Sequence, residues 1–191
     1  AFTDPEIAAL RQWVQGGGRL LLIADHMPLA GAAAKLALAF DVEFSDGFAR
    51  REPASADPDI FSRAAGTLGD HPIARGRKPA EAVESVRTFT GQAFKAPKAD
   101  ALIVLPDGYV NYTPLKAWEF TKDTPKIPVA GWLQGATLEV GKGRVAFFGE
   151  AAMFSAQLAG PDKRPMGMNA PGAERNFQFT LNVLHWLTGK L

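Results

Sequence analysis

The sequence predicts an α/β domain in three layers, with helices on both faces of a mostly parallel sheet and a hairpin towards the C-terminal end. Three observations carry that prediction. Two apolar runs, residues 20–24 and 101–105, lack the alternation of a half-exposed strand and read as strands buried on both faces. Helix-like segments alternate with the strand-like ones, as crossover helices do in a parallel sheet. Finally, Gly141-Lys142-Gly143 separates two strand-like stretches, residues 127–140 and 144–148, and its glycines supply the positive φ of a hairpin turn.

In chain order, Thr3-Asp4-Pro5-Glu6 is a capping box that opens a helix carrying Ile7, Leu10 and Val14 on one face, with Trp13 beside them. Gly16-Gly17-Gly18 ends it; these glycines precede a strand, not a helix, so they are not a phosphate loop. The apolar strand at 19–24 follows and is predicted to be central in the sheet. An Ala/Leu-rich helix comes next, at 29–40. Residues 41–45 read as a short strand, 46–58 as a polar loop and 59–65 as one helical turn. Residues 69–76 are turn-like, with His71 held extended by Pro72. A strand at 83–90, the second apolar run, an irregular stretch at 106–125 and the hairpin follow. A helix at 151–158, a proline-rich loop at 160–171 and an amphipathic helix at 174–187, with Phe177, Leu181, Leu184 and Leu187 at helical spacing, complete the chain.

The 191 residues suit one domain, 1–191, with a substantial core. A charged fraction of 21% and a net charge of +1 exclude the electrostatic footprint of a nucleic-acid or anionic-membrane partner. Cysteine is absent, which removes disulfides, thiolate nucleophiles and thiolate metal sites together. No apolar run approaches the ~20 residues of a membrane span. The compartment stays open: periplasmic or secreted if a leader has been removed, cytoplasmic otherwise.

Four segments together, FTDPEIAALRQWVQGGGRLLLIADH, DHPIARG, GKGRVAFFGEAAMF and NFQFTLNVLHWL, give the chain a family likeness. It resembles the class I glutamine amidotransferase-like superfamily, in the branch shared by uncharacterised bacterial proteins and the domain of gliding-motility and intraflagellar-transport proteins. The resemblance implies a flavodoxin-like sheet. It does not carry over the amidotransferase nucleophile, because Ala24-Asp25-His26 stands where that family has a cysteine at the turn after the central strand. Relatives of this type have further strands before the FTDPE helix. The resemblance therefore implies either a piece of a longer protein or a shortened sheet, whose unpaired edge would be covered in a homodimer or by another chain.

In open α/β sheets ligands bind beyond the carboxyl ends of the strands. His26 stands at such a place, and imidazole changes charge near neutral pH, so it is the leading candidate for a general base or metal ligand, the alternative being a structural histidine bonded to a nearby carbonyl. Asp25 either orients His26 or caps the following helix. Glu150 follows the strand at 144–148 and is expected on the same rim. Ser155, five residues on, is the candidate nucleophile, although no G-x-S-x-G elbow exists. His71 is a weak candidate metal ligand without supporting spacing, and His185 reads as structure, so no metal and no cofactor are expected. Tyr109, Tyr112, Trp118 and Trp132 offer either a stacking wall for a sugar or an aromatic ligand, or core plus a partly exposed loop. Two functions follow. One is a small cofactor-independent hydrolase of ester or related acyl bonds, with His26 as base, Asp25 or Glu150 to orient it, and Ser155 or an activated water to attack. The other is a non-catalytic domain that binds a small polar or carbohydrate ligand, or a protein partner, in the same pocket.

Overall fold

The computed structural model describes residues 1–191. Its helices are α1 (Asp4–Gln15), α2 (Leu29–Leu38), α3 (Pro72–Arg75) and α4 (Asn176–Leu187). Its strands are β1 (Arg19–Ile23), β2 (Glu43–Phe44), β3 (Phe48–Arg51), β4 (Asp59–Ser62), β5 (Ser85–Thr88), β6 (Phe94–Lys95), β7 (Asp100–Val104), β8 (Tyr109–Tyr112), β9 (Lys126–Pro128), β10 (Leu133–Val140), β11 (Gly143–Phe148), β12 (Ala156–Ala159) and β13 (Arg164–Gly167). The main sheet runs β1-β11-β10-β6-β2, with β7 also paired to β10. Three small antiparallel sheets surround it: β3-β8-β9, β4-β5 and β12-β13.

This is not the mostly parallel, flavodoxin-like three-layer sandwich that the sequence suggested. Only β1 and β11 pair in parallel; every other pairing in the main sheet is antiparallel. The reason lies in the connections. A parallel neighbour needs a crossover of a dozen or more residues, usually a helix. Between β2 and β10 the chain offers only the four-residue α3 and a single 3-10 turn, and it spends the rest on short strands and turns.

A second correction concerns β1. It lies at one end of the sheet order, bonded to β11 alone, and is an edge strand where a central one was expected. Its apolar run has a different cause. Leu22 packs into one hydrophobic cluster with α2, while Leu21 and Ile23 pack against the other, beside α4. Both faces of the strand are covered although one of its edges is free, and apolar periodicity reports only the faces.

Several local expectations also change. Residues 46–58 contain β3, residues 59–65 open with β4 in place of a helical turn, and the irregular stretch contains β8. The expected long strand at 127–140 is broken by a turn between β9 and β10, and residues 151–158 form a 3-10 turn (Ala152–Phe154) followed by β12. The hairpin turn itself joins β10 to β11, with Val140 opposite Gly143. Strand β11 divides the core: Val145 and Phe147 face Val14, Ala33 and Leu36, whereas Ala146 and Phe148 face Phe179, Val183 and Trp186. Each fully buried phenylalanine of this kind contributes about 1.5–3 kcal/mol relative to exposure. At the N-terminus, Glu6 closes back on Thr3, accepting from its backbone N–H and its hydroxyl at 2.8 Å each.

Candidate functional site

The parallel pair β1 and β11 aligns Ile23 with Phe148, and Ala24 N–H extends the ladder to Phe148 O at 2.9 Å. Asp25 and Glu150 each follow two residues after those partners, so they leave the sheet side by side on one rim. Gln92 clips this rim to the strand segment behind it. Its amide donates to Ala24 O at 2.8 Å, and its backbone N–H donates to Gly149 O at 2.7 Å. Gln92 is fully buried, and the preceding Thr90 is held at φ 120°, a strained value for a β-branched residue.

Glu150 is 1% exposed, and both its carboxyl oxygens accept backbone bonds at 2.8 Å, from Ala152 N–H and Met153 N–H. It thus caps the 3-10 turn that follows. Burial pushes its pKa up to about 8; the two N–H bonds oppose that shift, and the Asp25 and Asp59 carboxylates reinforce it.

His26 leaves the rim in another direction. Its Nδ1 lies 2.8 Å from Met27 O, which fixes that nitrogen as the N–H donor and leaves Nε2 as an acceptor without a protein partner. The ring stacks on Phe48 (centroids 4.5 Å, planes 18° apart) and meets Trp118 edge-on at 4.7 Å. Trp118 in turn contacts Phe48 at 4.7 Å and Phe120 at 6.4 Å, and Tyr112 lies 5.9 Å from Phe120. Phe48 is fully buried, but Trp118 is 57% exposed and sits at φ 69°, a left-handed backbone that turns its indole over the histidine. The sheet β3-β8 sets this up: Phe48 is paired with Tyr112, so both side chains leave the same face. The result is an aromatic platform beside a histidine whose tautomer is fixed.

Asp25 is spent locally, its Oδ1 accepting from His26 N–H at 2.8 Å. Ser155 is spent as well. Its hydroxyl donates to Ala152 O at 2.9 Å and accepts from Gln157 Nε2 at 3.1 Å. No hydrogen bond joins His26 to Ser155 or to Glu150. His26 and Ser155 therefore lack the hydrogen bond that a serine nucleophile needs to its base. The expected helix at 151–158 would have carried Ser155 inward; the 3-10 turn closes before it and fixes it as a cap.

The other candidates disperse. His71 caps α3, its Nδ1 accepting from Ile73 N–H at 3.2 Å while Nε2 meets Thr137 Oγ1 at 3.2 Å. No group of three or more His, Cys, Asp or Glu side chains is gathered as a metal would require. Of the proposed stacking wall, Tyr112 and Trp118 reach the platform. Tyr109 is buried and donates to Asp59 at 2.5 Å, and Trp132 packs under the Lys95 ammonium 4.3 Å from its ring centre. Sequence reasoning missed Phe48, Phe120 and Gln92. Phe48 carried no strand signal: Phe48-Ala49-Arg50-Arg51 lacks the period-2 alternation of a strand, and the two prolines that follow make the segment read as loop.

No protein-family model matches the chain, and no curated protein matches it. Among the solved structures similar to it are two from bacteria. One is the β-galactosidase from Bacillus circulans sp. alkalophilus: TM-score 0.48, 10% identity, covering 97% of this chain and 21% of that one. The other is a cytoplasmic protein from Salmonella typhimurium: TM-score 0.50, 14% identity, covering 98% of this chain and 62% of that one. The second likeness is one of fold. The chain spans less than two thirds of either structure. No helix is long and apolar enough to cross a membrane.

Proposed function

We propose that this domain binds a carbohydrate, without catalysing its turnover, on the platform that His26, Tyr112, Trp118 and Phe120 form over the buried Phe48. The observation that carries the reading is the exposed Trp118 indole, held over His26 by a left-handed backbone. A pyranose presents one apolar C–H face and a rim of hydroxyls. An exposed indole meets the first, and the free His26 Nε2 accepts from the second. The Asp25, Glu150 and Ser155 contacts support binding over hydrolysis, since each is engaged in holding the rim together.

Titration with neutral mono- and disaccharides, followed by the indole N–H resonance of Trp118, tests the reading. Binding is expected to shift that resonance, and Trp118→Ala to weaken affinity about 3- to 10-fold, the scale of one aromatic stack. A panel in which no saccharide moves Trp118, or in which Trp118→Ala binds as the wild type does, would overturn it.

We further infer that the domain forms a homodimer through β1. Even-numbered residues of β1 bond to β11: Gly18 O accepts from Arg144 N–H, and Ala24 N–H donates to Phe148 O. The backbone groups of Arg19, Leu21 and Ile23 therefore point outward. Antiparallel pairing of two such edges about Leu22 sets Arg19 of each copy opposite Asp25 of the other, a self-complementary, closed arrangement. Sedimentation is expected to give a dimer at micromolar concentration. Leu21→Pro removes one outward N–H and leaves the β11 ladder alone, so it is expected to give a monomer with unchanged far-UV circular dichroism. A monodisperse wild-type monomer would exclude the dimer.

A further inference from the structure

We infer that the carbohydrate this platform takes is an acidic one, whose anionic group is held by Arg50; this rests on the binding reading above. Arg50 lies two residues beyond Phe48 on β3, so both side chains leave the same face of that strand. Its guanidinium carbon sits 5.2 Å from the centre of the Phe120 ring, which itself lies 5.1 Å from Phe48. Arg50 thus continues the platform at the end opposite His26.

Every other arginine of the chain is committed. Arg11, Arg19, Arg87 and Arg175 donate to backbone carbonyls. Arg51, Arg63, Arg75, Arg77, Arg144 and Arg164 pair with carboxylates. Arg50 alone makes neither a hydrogen bond nor an ion pair, although it is exposed on a surface with acids at hand. Glu52, Glu119 and Asp59 pair with Lys126, Lys116 and Arg51, and Asp57, which lines one depression with Arg50, bonds only to Ser55 and forms no ion pair. The Phe120 ring orients the guanidinium plane, so less freedom is lost when it binds. Five unpaired donors in a planar fork match a carboxylate or phosphate, which accepts two parallel bonds. A sugar stacked on Trp118 with its acidic substituent towards Arg50 uses both ends of the platform.

Four probes separate the terms: glucose, glucuronate, glucose 6-phosphate and inorganic phosphate, each titrated against the wild type, Arg50→Gln and Trp118→Ala. Glucuronate or glucose 6-phosphate is expected to bind the wild type about 10-fold tighter than glucose, the scale of one charge-assisted contact. Arg50→Gln should abolish that preference, weakening the acidic sugars about 10-fold more than glucose, while Trp118→Ala weakens all three sugars. The stronger of the two acidic probes names the anion. Equal affinity for glucose and the acidic sugars, with Trp118→Ala weakening both, overturns the acidic ligand and keeps the carbohydrate reading. A preference that survives Arg50→Gln overturns the role of Arg50. Phosphate binding as tightly as the acidic sugars, with Trp118 unmoved, overturns both readings, as does the absence of any sugar response.

Discussion

Raising the pH from 6.5 to 8 is expected to cost the folded protein about 2 kcal/mol of stability, and Glu150→Gln to remove most of that loss. The cause is proton linkage. Glu150 is sealed from water at the rim, and burial lifts its pKa from the usual carboxylate value to about 8, with Asp25 and Asp59 facing it. Between the unfolded and folded pKa the native chain holds a proton that the unfolded chain has released. Stability therefore falls as pH rises through that interval, by about 1.36 kcal/mol per unit.

His71 works in the opposite direction at lower pH. Burial depresses its pKa, and its Nδ1 must stay unprotonated to accept from Ile73 N–H. The unfolded chain takes up that proton below about 6.5, so His71 adds stability as pH rises to that point and nothing beyond it. The carboxylates held low by hydrogen bonds and cations, Glu6, Glu52, Glu81 and Glu174, titrate below the window. Urea denaturation at pH 6.5 and pH 8 isolates Glu150. A wild type equally stable at both values, or an unchanged slope in Glu150→Gln, would contradict the account.

What the sequence made legible was local and periodic. The helix at Asp4–Gln15, the apolar strand at Arg19–Ile23 and the Gly141–Gly143 turn follow from capping, apolar runs and glycine, all of which act within a few residues. Which strand lies beside which is a long-range matter. The Ala101–Val104 run has the composition of a parallel central strand, and it pairs antiparallel to β10 because no crossover helix precedes it. The candidate site divided in the same way. His26 was visible because it ends a strand. Its partners Phe48, Trp118 and Phe120 come from β3 and from the stretch after β8, and only the β3-β8 pairing gathers them. Ser155 and Glu150 carried the right chemistry at the right spacing; the 3-10 turn at Ala152–Phe154 consumes both in capping bonds, which composition does not foretell.

Gly143→Ala is expected to destabilise the domain by about 3 kcal/mol, at the upper end for overpacking, and to lower its melting temperature by about 10 °C. Gly143 opens β11, where that strand is wedged between the end of α1 and the start of β1. A methyl group there would lie 1.9 Å from Val14 O and 2.6 Å from Gly18 O. Both are backbone atoms, so no side-chain rotation relieves the contact. The Gly18 carbonyl is also the acceptor for Arg144 N–H, the first bond between β1 and β11. Displacing it shifts the origin of the parallel pair whose far ends carry Asp25, His26 and Glu150. Sugar affinity at the Trp118 platform should therefore fall together with stability. Gly160→Ala provides the contrast. Its methyl group meets nothing within 4 Å, and only its left-handed φ of 69° opposes the change, at about 1–2 kcal/mol. Calorimetry of the two variants checks the claim: equal losses would mean that the Val14 and Gly18 carbonyls yield to the methyl group and that the close approach of α1, β1 and β11 sets no requirement at Gly143.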